Sequence, residues 1–164
     1  MKSLCKSNLK LLALILLALV QPTNASETPL EPRAIMQFSS TLHESSALAS
    51  RGKNLWTLND SGNGALIFKL DNIGNELNSF RMANTINSDW ESLASDAHFL
   101  YIGDIGNNFN RRRKLTIYRI AWEDIEKPEP SAQRITFIYA DRRSGLPMSH
   151  DFDAEAIAIH GNEI

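Results

Sequence analysis

The sequence contains a single cysteine, and it lies close to the amino terminus. Cys5 precedes an apolar run from Leu11 to Val20, so a chain cleaved after that run has no thiol. Disulfide frameworks need at least two cysteines, and cysteine zinc sites need several. Both are therefore excluded for the remainder of the chain.

The common catalytic motifs are also missing. The chain has no Gly-x-Ser-x-Gly nucleophile elbow, no Walker loop, no Rossmann glycine fingerprint and no zincin helix motif. The sequence therefore predicts no organic cofactor and does not identify catalytic residues. Whether the protein is an enzyme stays open on this ground.

Long hydrophobic runs are scarce, and the longest is too short to cross a bilayer. A membrane helix needs about 20 apolar residues, whereas the run here ends at Val20 and is followed by Gln21 and Pro22. Three lysines precede the run, and small residues close the segment 1–25. This pattern predicts a cleaved secretory signal peptide, with an uncleaved anchor as the alternative.

The segment 26–33 is polar and contains two prolines, which is typical of a short extended linker. With the signal peptide removed, we expect a periplasmic or secreted protein that keeps no stable membrane span. The remaining chain has 14 basic and 19 acidic groups. This negative balance argues against nucleic acid as a partner.

The apolar spacing of amphipathic helices is absent after residue 34. Instead, short apolar runs alternate with Gly, Asn, Asp and Ser, which indicates an all-β domain. We expect strands near 34–38, 45–49, 54–58, 66–70, 79–82, 92–95, 99–103, 115–120, 134–139 and 156–159. Between two of them, the segment 71–75 is rich in residues that tolerate positive φ and predicts a hairpin turn.

A short acidic phrase occurs three times. Glu44, Glu91 and Glu155 each begin a strand-like run, and the first two runs lead into similar turns that contain Asp60 and Asp104. The first spacing is 47 residues, which lies in the range of β-propeller blade repeats. The second spacing is 64 residues, and the extra length falls in the loops 122–130 and 141–149.

The repeat predicts about three four-stranded blades over 34–164, the last of them incomplete. Closed propellers usually have at least four blades, so we expect this segment to be the amino-terminal half of a larger propeller or a truncated product. An open arc leaves unpaired strand edges, which favour self-association.

Carboxylates at repeated positions are candidates for a metal site. In a propeller these side chains would converge near one mouth of the central channel, where a hard cation such as Ca²⁺ would offset their repulsion. The alternative is that they only satisfy backbone amides in tight turns. The candidate ligands are Glu44, Asp60, Glu91, Asp104, Asp153 and Glu155.

A basic run, 111–114, precedes one predicted strand. Its residues are Arg111, Arg112, Arg113 and Lys114. They suit either an anionic ligand or a solvated hairpin tip. The sequence does not separate these interpretations.

Taken together, the phrases at 44–48, 55–63, 89–94, 101–108 and 153–157 resemble a group of secreted bacterial β-propellers similar to six-bladed TolB-like propellers. The resemblance covers about residues 34–164. Blade repeats without a recognisable catalytic constellation favour a binding or scaffold module for an unknown ligand or protein. Related propellers of the lactonase and phosphotriesterase type hold calcium on the channel axis. The resemblance therefore also implies the alternative of a calcium-dependent hydrolase, with Glu44, Glu91, Asp104 and Glu155 placed like those ligands.

Overall fold

Two antiparallel sheets make up the described part of the chain. The computed structural model describes residues 36–142, 152–161 and 163–164, so the predicted signal peptide and linker lie outside it. Each sheet contains four strands that are neighbours in sequence order. The strands are β1 (Ser45–Arg51), β2 (Asn54–Asn59), β3 (Leu66–Leu70), β4 (Glu76–Arg81), β5 (Trp90–Ser95), β6 (Phe99–Asp104), β7 (Leu115–Ala121) and β8 (Gln133–Phe137).

Short polar turns connect the strands within each sheet. In the predicted 71–75 turn, the Asp71 carboxylate accepts hydrogen bonds from the backbone N–H groups of Ile73 at 2.9 Å and Asn75 at 2.8 Å. Gly74 lies in the left-handed region, with φ at 90°. Because a carboxylate that caps its own loop and a glycine at positive φ both favour a tight reversal, β3 and β4 pair directly.

The main core lies between the two sheets. Trp56 and Ile67 of the first sheet pack in the same apolar cluster as Leu100 and Tyr118 of the second, and all four are buried. Alternate side chains of each strand point to opposite faces, so the other face of the second sheet carries a separate cluster that includes Tyr101. A third cluster lies on the other face of the first sheet, so both sheets carry apolar residues on both faces.

Most of the predicted strands are confirmed. All eight predictions from 45–49 to 134–139 coincide with observed strands, with boundary shifts of a few residues. The all-β prediction is correct, and the loop at 122–130 contains only turns and bends. The large aromatic residues Trp56, Trp90 and Tyr101 are buried.

Two predicted strands are wrong within the described residues. Residues 36–38 and 156–159 belong to no strand. The segment 152–159 runs beside the second sheet, where its backbone bonds to the side chains of Asn107 and Ser92 instead of a partner strand. Consequently the described residues form neither a third four-stranded blade nor a closed ring of sheets. Most of the predicted loop 141–149 lies outside the described residues.

The strand registers define how the two sheets correspond. Ser45 is paired with Asn59 across β1 and β2, and Trp90 is paired with Asp104 across β5 and β6. A register irregularity follows the first residue of both pairs. Both offsets are 45 residues, so the first two strands of each sheet superimpose in register.

This correspondence differs by two residues from the alignment of glutamates in the sequence. Glu44 precedes β1 as Asp89 precedes β5, whereas Glu91 matches Ser46. The alignment of Glu44 with Glu91 was therefore wrong by two residues. It was suggested by the serine that follows each glutamate.

No helix among residues 36–142, 152–161 and 163–164 is both long and apolar enough to span a membrane. The helical structure there is limited to a single 3₁₀ turn, Ser40–Leu42.

Candidate functional site

Three carboxylates meet where the two sheets adjoin. Asp60 follows the last residue of β2, Asp89 precedes β5, and Glu91 is the second residue of β5. One oxygen from each carboxylate lies within 4.8 Å of the others. We call Asp60, Asp89 and Glu91 the carboxylate cluster.

Asn87 joins the two sheet ends that carry the cluster. Its side-chain amide donates to the backbone oxygens of Asn59 and Asp60, both at 2.9 Å. Its side-chain oxygen accepts the backbone N–H of Trp90 at 3.1 Å. Because one side chain bonds to both segments, it fixes the distance between the end of β2 and the start of β5.

Gly106 allows the carboxylates to approach the backbone. A Cβ atom at this position would lie 2.6 Å from the Asp89 carboxylate and 2.6 Å from a carboxylate oxygen of Glu91. Real Cβ atoms do not make contacts this short, so a side chain at 106 would displace both acids. In addition, the Gly106 N–H donates to the Asp89 backbone oxygen at 3.2 Å. The glycine is therefore part of the wall of the site.

Asp104 is engaged by other groups and does not belong to the cluster. Its carboxylate is 2.7 Å from the Arg112 guanidinium and accepts the Asp89 backbone N–H at 3.0 Å. Arg112 also donates to the backbone oxygen of Gly106 at 2.6 Å. Burial raises the pKa of Asp104, while the charge and hydrogen bonds of Arg112 oppose that shift. This pair supports the turn beneath the cluster.

The segment 152–159 brings two further acids towards the cluster. The Asp153 carboxylate accepts the backbone N–H of Asn107, and the Asn107 side chain donates to the Phe152 oxygen at 3.0 Å. Further along, the Ile157 N–H donates to the Ser92 hydroxyl at 3.0 Å. Together these bonds hold 152–157 against the second sheet.

The negative charges of this region act on Glu91. Burial is the largest cause that raises its pKa, to about 7, and the charges of Asp60, Glu155, Asp89 and Asp153 add to it. The pKa of Asp89 is also raised, first by burial, although a hydrogen bond from Ser61 opposes the shift. A cation or a proton would therefore relieve repulsion at Glu91.

The structure brings together only part of the predicted ligand set. Asp60 and Glu91 are in the cluster, while Asp153 and Glu155 are near enough to act on Glu91 through their charges. Glu44 instead accepts a hydrogen bond from the Asn63 side chain at 2.5 Å. Glu44 and Asp104 are therefore bonded outside the cluster.

Sequence reasoning missed Asp89. The signal that could have found it is a shared Asp-x-Glu pattern, in which Asp89 and Glu91 match Asp153 and Glu155. In both copies the aspartate lies two residues before the glutamate. The second and third copies thus share an Asp-x-Glu pattern, in which one residue separates the two acids.

The raised pKa of Glu91 predicts a loss of stability as the pH rises. The native state holds this proton more tightly than the unfolded state, whose pKa is near 4.5. The contribution of this proton to the free energy of unfolding is complete below pH 4.5 and is lost as the pH rises through about 7. Because the site is partly solvated, we expect the free energy of unfolding to fall by about 1–2 kcal/mol, which is roughly half of the energy that corresponds to the full pKa shift.

Urea unfolding of the wild type and of Glu91→Gln at pH 5 and pH 8, both in EDTA, measures this loss. The variant is expected to be more stable than the wild type at pH 8 and similar at pH 5. Glu129→Gln, at an exposed loop position, serves as the matched control and should differ little at either pH. A pH-independent difference for Glu91→Gln would contradict the shift.

Comparisons with known proteins returned no match, since no family model, no curated protein and no solved structure matches this chain.

Proposed function

We propose that this chain is a β-propeller-type binding module, exported from the cytoplasm, whose carboxylate cluster binds Ca²⁺. The observation that carries the proposal is the meeting of Asp60, Asp89 and Glu91 within 4.8 Å at the junction of the sheets. A propeller role is supported by the repeated four-strand meander and by the common 45-residue offset between the sheets.

The donor set fits calcium in its chemistry. All three groups are carboxylates, and hard oxygen ligands are those that Ca²⁺ prefers. Calcium–oxygen distances are about 2.3–2.6 Å, so two ligand atoms on one ion lie at most about 5 Å apart. The spread of 4.8 Å within the cluster is inside that limit.

The cluster would leave the cation incompletely coordinated by protein. Calcium takes about six to eight oxygen ligands, and three carboxylates supply no more than six. All three acids are half-buried, so solvent and an external ligand can reach the site. Neutral oxygens of water, or hydroxyl and carbonyl groups of a binding partner, suit the remaining positions, because the three carboxylates already exceed the charge of the cation.

The edge strands of the two sheets are candidate surfaces for a protein partner in the scaffold role. Strands β4 and β8 are each one of the two edge strands of their sheet, and most residues of β4 are exposed. Unpaired strand edges favour pairing with another chain. We therefore keep self-association through these edges as part of the proposed role.

A calcium-dependent hydrolase is the second candidate, and the further acids near the cluster, Asp153 and Glu155, favour it because one of them could act as general base beside the cation. Glu91 suits that role less, since bound calcium would lower its raised pKa. Bound calcium would polarise a carbonyl or phosphoryl oxygen of a substrate. Binding remains the first proposal because the geometry of the cluster supports a cation directly and does not identify a nucleophile.

Calcium is expected to stabilise the protein through this cluster. Calorimetric titration should give a dissociation constant of about 10⁻⁴–10⁻³ M, the range of extracellular calcium modules. Calcium at 100 times that constant should raise the free energy of unfolding by about 2.7 kcal/mol. Asp89→Asn should remove most of this gain, whereas Asp141→Asn, at an exposed acid that is not a member of the cluster, should keep it.

Measuring the free energy of unfolding with and without calcium separates two effects, the loss of repulsion among the carboxylates and the specific binding of calcium. Without calcium, Glu91→Gln should be more stable than the wild type at pH 8, yet it should gain less from added calcium. A gain from calcium that is equal in the wild type, Asp89→Asn and Glu91→Gln would refute the site. Turnover of lactone or phosphodiester substrates that requires both calcium and Glu91 would favour the second candidate.

A further inference from the structure

The loop between β6 and β7 displays an aromatic ring among cations. Phe109 has 68% of its surface exposed. Arg111, Arg113 and Lys114 are exposed as well, and the Arg111 guanidinium is 5.5 Å from the centre of the Phe109 ring. We call residues 107–114 the tip loop.

Hydrogen bonds from inside hold the tip loop in shape. The Asn107 side-chain oxygen accepts the backbone N–H of Arg112 at 2.7 Å, and its amide donates to the Arg112 oxygen at 3.3 Å. Arg142 donates to the backbone oxygens of Asn110, at 2.6 Å, and of Arg112. These hydrogen bonds therefore fix the loop conformation in which Phe109 is exposed.

The exposed cations of the tip loop have no acidic partner in the described part of the chain. Arg112 turns inward to Asp104, whereas no carboxylate described by the structure forms a salt bridge with Arg111, Arg113 or Lys114. Their charges thus face solvent together with the ring of Phe109.

The matching loop of the first sheet has none of these features. It spans residues 60–65 between β2 and β3, whereas the loop between β6 and β7 spans 105–114. The shorter loop contains small and polar residues and one acid. Reversing the chain at this end of a sheet therefore requires neither the aromatic ring nor the basic run.

We infer that the tip loop docks on an anionic lipid surface. Amphipathic surface elements bind such membranes by inserting apolar side chains at the headgroup boundary while nearby cations meet the lipid charges. Phe109 supplies the apolar group, and Arg111, Arg113 and Lys114 supply the cations. A soluble polyphosphate would satisfy the cations but leave the ring in water. The inference does not require the proposed calcium site.

A site-specific fluorescence measurement tests this inference. The natural tryptophans 56, 90 and 122 are buried, so an indole introduced by Phe109→Trp reports on the tip loop. The full chain is mixed in EDTA with vesicles of equal parts phosphatidylglycerol and brominated phosphatidylcholine. Because the apolar run 11–20 has its own affinity for lipid, binding alone is not the readout.

The matched control is Ile73→Trp, since Ile73 is 64% exposed in the 71–75 hairpin turn. We expect bromine to quench the indole at 109 and to leave the indole at 73 unquenched. Adding Lys114→Glu to the reporter should shift half-maximal quenching to at least fivefold more lipid, because each cation near an anionic surface contributes about that factor. Lys53→Glu, at an exposed turn elsewhere, should cause no such shift.

We also expect quenching at 109 to weaken when phosphatidylglycerol is omitted and when salt is raised. Equal quenching at 73 and 109, or none at 109, overturns it. Binding of the tip loop to nucleic acid or polyphosphate without quenching by vesicles would overturn it as well, in favour of a soluble polyanion.

Discussion

Replacing Arg112 with methionine is expected to lower the free energy of unfolding by about 3–5 kcal/mol at pH 8. The substitution leaves the Asp104 carboxylate, whose side chain is 4% exposed, without its cation. It also removes donors to the backbone oxygens of Asp104, at 3.0 Å, and Gly106, at 2.6 Å. Loss of one partner of a buried pair costs more than the pair contributes, because an uncompensated charge remains.

The expected loss depends on pH, and its sign can be derived. Burial already raises the pKa of Asp104, and removal of the Arg112 charge raises it further. At low pH Asp104 takes up a proton and the unpaired charge disappears, so the difference between Arg112→Met and the wild type should shrink towards pH 5. Urea unfolding at both pH values measures it.

Two variants separate the buried pair from general effects of the basic run. Arg113→Met, at an exposed neighbour, should change the free energy of unfolding by no more than about 0.5 kcal/mol. The double variant Arg112→Met with Asp104→Asn should recover part of the loss at pH 8, because the charge is then absent. Equal losses at positions 112 and 113 would show that the pair contributes nothing specific.

Much of the fold could be predicted from the sequence because the signals are local. Runs such as 54–58 and 99–103 combine β-branched and aromatic residues with turn residues at both ends, and each became a strand. The failure at 156–159 has a different cause. That segment has the composition of a strand, but strand formation also needs a partner backbone, and in the described structure it contacts side chains of the second sheet.

The site was harder to predict because it depends on contacts between sheets. Asp60 was singled out as a member of a turn, and its approach to Asp89 and Glu91 depends on Asn87, which no motif marks. Likewise Arg112 looked like one residue of a solvated run, although it alone turns inward to Asp104. Composition gives the charge of such a run but not the direction of each side chain.

Trp90→Ala is expected to cost about 3–5 kcal/mol, the usual range for removing a large aromatic side chain from a core. Trp90 is fully buried, and its ring centre lies 6.2 Å from that of Tyr118. Its indole N–H donates to the Ile86 oxygen at 3.1 Å, while its backbone oxygen accepts the Ser46 hydroxyl at 2.8 Å. The residue therefore ties the second sheet to the first.

The same substitution should weaken the proposed calcium site, because Asp89 and Glu91 flank this residue. Side chains alternate along an extended chain, so the packing that draws Trp90 into the core directs its two neighbours the other way. Trp90→Phe keeps an aromatic ring in the core and should cost only about 1–2 kcal/mol. The test is the free energy of unfolding and the gain from calcium, measured on both variants.

We expect the gain from calcium to persist in Trp90→Phe and to be much smaller in Trp90→Ala at a temperature where both variants are folded. A loss below 1 kcal/mol for Trp90→Ala would contradict the core role. An unchanged calcium gain in a destabilised Trp90→Ala would show that the carboxylates are positioned independently of the core, chiefly by Asn87 and Gly106. Because the two readouts can change separately, the experiment distinguishes the packing of the sheets from the assembly of the site.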